Sequence, residues 1–219
     1  MKTAIIGVGN LGRALAGHLV AGDEPVVLAA RDEAHAVALA NELGPRVEAA
    51  LVEDAIAAAD VVVLALWLDQ IEELVPEQAH WLENKVVVDP SNPIGFDENG
   101  QMVRTLPDGQ SAGSIVASLL PASAHYVKAF GTLGADSLAS SANREPRVAL
   151  FYATDDDTAA GTVERLIRAA GFDAVKAGGT AAALRLEMPG GELHQSGLNG
   201  ELLDLDQARA VLARTEVNT

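Results

Sequence analysis

Short apolar runs alternate along this chain with stretches whose apolar side chains recur at helical spacing. Residues 3–6 read as a buried strand, after which Leu11, Leu15 and Leu19 mark one face of a helix. Residues 25–30 predict a second strand, and residues 33–43 a helix stopped by Gly44-Pro45. A short strand over 47–50 and a short helix over 52–59 lead to a fully buried strand at 60–66. The amphipathic stretch 71–82 and a strand over 85–89 come next. Strand and helix in strict alternation call for a parallel sheet covered by helices on both faces.

The pattern breaks between 90 and 110, where Pro90, Pro93, Gly95, Asn99, Gly100 and Pro107 crowd together. An irregular segment or a small hairpin turning at Glu98-Asn99-Gly100 is expected there. Ser111 then caps a helix running to 120, and strands cover 125–130 and 147–153. A helix over 155–170, a last strand over 172–177, and helices over 178–187 and 206–213 complete the pattern. This divides the chain into a nucleotide-binding domain with substrate-side elements, 1–188, and a glycine-punctuated acidic tail, 189–219.

The first strand breaks into Gly7-x-Gly9-x-x-Gly12 just as the first helix starts. Glycines there allow a tight turn, close backbone approach to a pyrophosphate and close helix–strand packing. The opening amides and positive dipole end of the helix then face phosphate. Such loops are common in isolation; between a strand and a helix this one predicts a dinucleotide site. The fold class is accordingly α/β, a Rossmann-type doubly wound and mostly parallel sheet with a short C-terminal extension.

Composition excludes several alternatives. The 219 residues suffice for a sizeable core, and no run of 18 apolar residues predicts a membrane span. The absence of cysteine removes disulfides, thiolate metal sites and cysteine nucleophiles. A formal charge of -16 opposes nonspecific nucleic-acid binding, although local basic groups can still gather a small anion. The start reads as a strand rather than a signal peptide, so the expected compartment is the cytoplasm. A mean hydropathy of +0.17 suggests a covered apolar face, and a homodimer is expected.

The second strand ends Leu28-Ala29-Ala30-Arg31. Ala30 stands where NAD-binding units place an acid for the ribose, and Arg31 can pair with a 2′-phosphate. This favours NADP(H); Asp32 offers an alternative ribose partner if the register is shifted, and Arg31 could otherwise pair with Asp32 or Glu33. Leu66 and Trp67 end the fourth strand, where they either line the nicotinamide side or cover the sheet edge. Pro90 and Pro93 hold Ser91 and Asn92 in a rigid turn, with or without a ligand to contact.

Five segments together resemble the NADPH-dependent F420 reductase family, also called coenzyme F420-dependent NADP oxidoreductases. They are Ile5-Ile-Gly-Val-Gly-Asn-Leu-Gly12, Val27-Leu-Ala-Ala-Arg31, Val62-Val-Leu-Ala-Leu66, Val86-Val-Val-Asp-Pro-Ser-Asn-Pro93 and Val127-Lys-Ala-Phe-Gly-Thr132. The resemblance runs to about residue 185 and extends to the reductase domain of six-transmembrane ferric reductases. It implies that Gly7, Gly9, Asn10, Leu11 and Gly12 hold the pyrophosphate and Arg31 the 2′-phosphate. It also implies that Leu66 and Trp67 line the nicotinamide side near Asn92 and Pro93. Thr132 and Leu133 fall where the family places the deazaflavin.

Hydride transfer to a flavin-like ring needs stacking more than an acid or base, and no catalytic residue is evident. His18, His35 and His80 read as structural; His125 and His194 could reach a substrate or equally be structural. Glu187 and His194 are too isolated to predict a metal site. The expected activity is NADPH-dependent reduction of a small-molecule acceptor such as F420 or a flavin. A nucleotide sensor without turnover is the alternative; an imine or oxo-acid reductase fits less well, because those enzymes carry a long helical C-terminal domain.

Overall fold

The computed structural model describes residues 1–216. The first half runs β1 (Thr3–Ile6), α1 (Asn10–Ala21), β2 (Val26–Ala29), α2 (Glu33–Leu43) and β3 (Glu48–Ala49). It continues with α3 (Val52–Ala58), β4 (Val61–Leu64), α4 (Leu68–Leu82) and β5 (Val86–Asp89). A two-stranded hairpin, β6 (Ile94–Phe96) and β7 (Met102–Arg104), precedes α5 (Ala112–Leu119) and β8 (His125–Lys128). Then come α6 (Ala135–Ser141), β9 (Ala149–Ala153), α7 (Asp157–Ala169) and β10 (Asp173–Gly178). A 3-10 turn Thr180–Ala182, α8 (Ala183–Leu186) and α9 (Leu205–Glu216) close the described chain.

The main sheet has the order β10-β9-β8-β5-β4-β1-β2-β3. From β3 to β8 every pairing is parallel, whereas β9 runs back against β8 and carries β10 parallel to itself. The strand order reverses between β1 and β4, which opens a crevice at their carboxyl ends. The sheet is thus the Rossmann-type, mostly parallel one expected.

Helices on both faces explain why the strands read as unbroken apolar runs. Ile5, Leu28, Val63 and Val88 pack under Leu15, Leu39 and Val163 of α1, α2 and α7. Ile6, Val62 and Val87 point the other way, under Ile56, Ile71 and Val116 of α3, α4 and α5. A third cluster joins Phe151 and Val175 of the outer strands to Leu193, Leu203 and Ala208, so that part of 189–216 lies on the sheet. Phe172, fully buried below α1 with its ring edge-on to His18 at 6.0 Å, anchors the junction of α7 and β10. Phe172→Ala should cost about 3–5 kcal/mol in a urea unfolding curve.

Three local expectations change. The sequence pattern carries no sign of α6, whose Ala-Asp-Ser-Leu-Ala-Ser-Ser composition buries only Leu138 among its large apolar side chains. Tertiary bonds hold it: His18 Nε2 lies 3.0 Å from the Leu138 carbonyl, and Gln195 Oε1 accepts from the Gly134 amide. The helix α4 begins one turn earlier than expected, since Leu68 is buried. The stretch 178–187 is a 3-10 turn and a four-residue helix rather than one helix. Gly178, at φ +139°, and the extended Gly179 break it, and Asp155 takes the Thr180 amide at 2.9 Å.

Candidate functional site

The glycine loop sits at the carboxyl end of β1, against the end of β4. Gly7 has φ +101°, and a Cβ there would lie 2.3 Å from the Ala65 carbonyl oxygen. A Cβ on Gly12 would lie 2.0 Å from the Gly7 carbonyl oxygen. These two glycines let α1 close onto the strands. Gly9 has a different environment: it faces open space and adopts an extended N-cap conformation. Asn10, Leu11 and Gly12 form the first turn of α1, which has no side-chain cap and no acidic residue. The start of α1 therefore presents amides and a positive dipole end with no carboxylate of its own first turn.

Arg31 lies just beyond β2 with its side chain 81% exposed, its guanidinium 3.9 Å from Glu73 of α4. A pair so long and so exposed restrains it little. Asp32, the rival ribose partner, accepts the Ala34 amide at 3.1 Å as the N-cap of α2.

Leu66 is half-buried; its side chain would be 2.9 Å from a Cβ on Gly7, so it touches the glycine loop directly. Trp67 is 46% exposed and meets Phe96 of the hairpin edge-on at 6.0 Å. At the end of β5, Asn92 is held through both ends of its amide. Its Nδ2 donates to the Gly131 carbonyl at 3.1 Å, and its Oδ1 accepts from the Met188 amide at 2.8 Å. Pro93 is buried beside it. After β8 the chain turns through Phe130 at φ +65° into Thr132 and Leu133, both buried. The Thr132 hydroxyl has no hydrogen-bond partner. The loop residues, Leu66, Trp67, Asn92, Pro93, Thr132 and Leu133 therefore share one edge of the sheet, at the carboxyl ends of β1, β4, β5 and β8.

The segment after Glu187 folds over the β8 end of that edge. The Gln195 amide donates to the Thr132 carbonyl at 2.8 Å, and the Ala149 amide to the Leu203 carbonyl at 2.8 Å. His194 is 3% exposed, and its Nδ1 accepts from the Ser196 amide at 3.0 Å. Because an N–H can only donate, the imidazole there is neutral with its proton on Nε2, which has no partner. Burial pushes the His194 pKa down to about 4. With an ordinary value of about 6.5 in the unfolded chain, the folded form refuses a proton that the unfolded form accepts. The contribution of His194 to stability is therefore complete above about pH 6.5 and falls as pH drops toward 4, by up to about 3 kcal/mol. Urea midpoints measured across that range should show the loss, and His194→Gln should flatten it.

The remaining histidines stand apart from this edge. His125 begins β8 at the opposite end of the sheet, with Nδ1 2.6 Å from Asp156. His35 and His80 are exposed. Among the described residues no three His, Asp or Glu side chains gather as a metal site, and no helix is long and apolar enough to cross a membrane.

Two features were missed in the sequence. A cleft of about 270 Å³ opens between the hairpin side and the C-terminal segment, lined by Arg104, Asp108, Leu184, Arg185, Pro189 and Glu192. Beneath the edge, Asp89, Tyr126, Lys128 and Glu187 form a buried charged cluster. Its signal was a charged side chain closing each of two apolar strands, Val-Val-Val-Asp89 and Tyr-Val-Lys128.

The chain is similar to known proteins in sequence and fold. Residues 2–93 match the family described as NADP oxidoreductase, coenzyme F420-dependent. A hypothetical protein from Sinorhizobium meliloti is 31% identical, with a TM-score of 0.80 over 93% of this chain and 95% of that one. A protein from Arthrobacter sp. FB24, assigned as an F420-dependent NADP reductase, is 26% identical, with a TM-score of 0.73 over 84% of this chain and 87% of that one. The metalloreductase STEAP3 of Rattus norvegicus is 30% identical over 186 residues, 85% of this chain. The chain spans 36% of the length of that relative.

Fold and loop geometry together define the class as NAD(P)-binding oxidoreductases of Rossmann type. Within that class, residues 2–93 carry the match to the coenzyme F420-dependent NADP oxidoreductases.

Proposed function

We propose that this chain is an NADPH-dependent reductase that passes a hydride to a planar, flavin-like acceptor, with F420 or a flavin as the candidates. The observation that carries the cofactor choice is Arg31: a guanidinium with little restraint at the end of β2, beside Ala30 and with Asp32 committed to capping α2. A 2′-phosphate there meets a positive fork rather than a carboxylate.

In this reading Gly7, Gly9 and the opening amides of α1, from Asn10 to Gly12, bind the pyrophosphate. Leu66 and Trp67 flank the nicotinamide side. Thr132 and Leu133, with Asn92 and Pro93 between, form the wall against which the acceptor lies. When bound, NADPH supplies the hydride and its electron pair, and solvent supplies the proton that completes reduction of the acceptor. The chain contributes position and exclusion of water, and no side chain at the edge needs to exchange a proton. Holding two rings at near-attack distance can by itself supply about 7–11 kcal/mol.

Single-turnover oxidation of NADPH in the presence of F420, FMN, FAD and a ferric chelate tests this. Rapid oxidation with a deazaflavin or flavin is the expected result. NADPH that binds but stays reduced with every acceptor would replace this reading with that of a nucleotide sensor.

A further inference from the structure

The buried charged cluster lies directly under the proposed acceptor wall. Lys128 Nζ is 2.9 Å from Asp89 Oδ2, 2.6 Å from the Ser91 carbonyl and 3.2 Å from Glu187 Oε1. Tyr126 donates its hydroxyl to Asp89 Oδ2 at 2.9 Å. Lys128 thus ties the turn after β5 to the end of β8 and to the segment just past α8.

Glu187 is fully buried and uses both carboxylate oxygens. Oε2 accepts the Ala112 amide at 3.0 Å and Oε1 the Gly113 amide at 2.8 Å. It therefore fills the positive end of α5 from within the chain. Close approach is built in: a Cβ on Gly113 would come within 2.6 Å of the Ala183 side chain and 2.8 Å of the Tyr126 hydroxyl. A buried carboxylate persists only when paired and hydrogen-bonded, so Glu187 has one stable position.

Residues 188–195 form the roof of the site. The Met188 amide donates to Asn92 Oδ1, Gly191 returns to the Glu187 carbonyl at 2.8 Å, and Leu193 donates to the Arg185 carbonyl at 2.9 Å. Gln195 then reaches Thr132. The strap thus starts directly after the clamped Glu187, bonds to Asn92 at its first residue and to Thr132 at its last, and turns back onto the Glu187 carbonyl through Gly191.

We propose that Glu187, held between Lys128 and the first amides of α5, is the positioning residue that sets the distance between the acceptor wall and the nicotinamide. This deepens the hydride-transfer reading and rests on it for its kinetic consequence. Misplacement of a reacting ring by about 1 Å costs on the order of 100-fold in rate, so a loosened strap lowers turnover without touching the nucleotide loop.

The test uses the full chain with Glu187→Gln, which preserves size and removes charge. Amide exchange at Met188, Gly191, Leu193 and Gln195 should accelerate by about 10-fold while β1 and β4 keep their protection. The NADPH Kd should stay within about twofold, and kcat with the acceptor should fall roughly 10- to 100-fold at a nearly constant KM. Glu187→Asp keeps the charge but shortens its reach, and should give smaller changes of the same kind; it carries the same measurements if the glutamine variant does not fold. Unchanged exchange at the four amides overturns the proposal, as does a Kd for NADPH that rises in step with the loss of turnover. A wild-type protein inert toward every acceptor would defeat the reductase reading alone, and the exchange data would then decide the clamp.

Discussion

Arg31→Glu is expected to weaken NADPH binding about 100-fold while changing NADH binding only a few-fold, which inverts any preference between them. The expected loss is large because the substitution removes a bidentate partner for the 2′-phosphate and puts a like charge in its place. It is also clean, since Arg31 supports nothing in the fold: its side chain is 81% exposed and its ion pair with Glu73 is 3.9 Å long. Fluorescence titration of both nucleotides, with thermal unfolding as a control, gives the ratio directly. Equal losses for both nucleotides would move the 2′-phosphate away from this residue.

Gly12→Ala should disturb the fold and the nucleotide site together. Its new Cβ would sit 2.0 Å from the Gly7 carbonyl oxygen and 3.2 Å from the Ala65 side chain, and backbone cannot swing aside as a flexible side chain can. Helix α1 would have to lift from β1 and β4, opening the packing of Leu15 and Leu19. A cost of roughly 3 kcal/mol is expected, a fall in Tm of about 6–12 °C for a chain of this size, together with loss of NADPH binding. Gly9→Ala is the control: no atom lies within 4 Å of the added Cβ, so the fold should hold and any loss of affinity would report on the pyrophosphate itself.

The nucleotide half was largely legible in the sequence because its signals are local. Residues 4–6 and 61–64 are apolar on both faces, and each lies beneath helices on both sides. Ser111 caps α5 through a 3.0 Å bond from the Ser114 amide, as its position before a helical stretch implied. The turn at Glu98-Asn99-Gly100 closes a real hairpin, with Phe96 opposite Met102. Arg31, by contrast, was legible only as a position: its sequence could not say that Asp32 would turn away to cap α2.

The acceptor half was harder to read because its contacts join distant parts of the chain. Glu187 meets Gly113 across 74 positions, and Gln195 meets Gly134 across 61. A helix held by such contacts, like α6, shows no periodicity of its own. A glycine-punctuated tail reads equally as a cover over the site or a solvated loop, and only the structure shows Leu193 and Leu203 buried against Phe151.

The amino-acid order determined, unaided, the alternation of strand and helix and the glycine loop that opens it, since both depend on neighbours a few residues apart. Burial on two faces demands continuous apolar strands, and close helix approach demands glycine, whatever the rest of the chain does. The return of β9 against β8, the neutral buried His194 and the Lys128–Glu187 clamp were decided only by the tertiary structure. Each depends on which charges and amides are brought together after water has been excluded, and that pairing has no local periodicity.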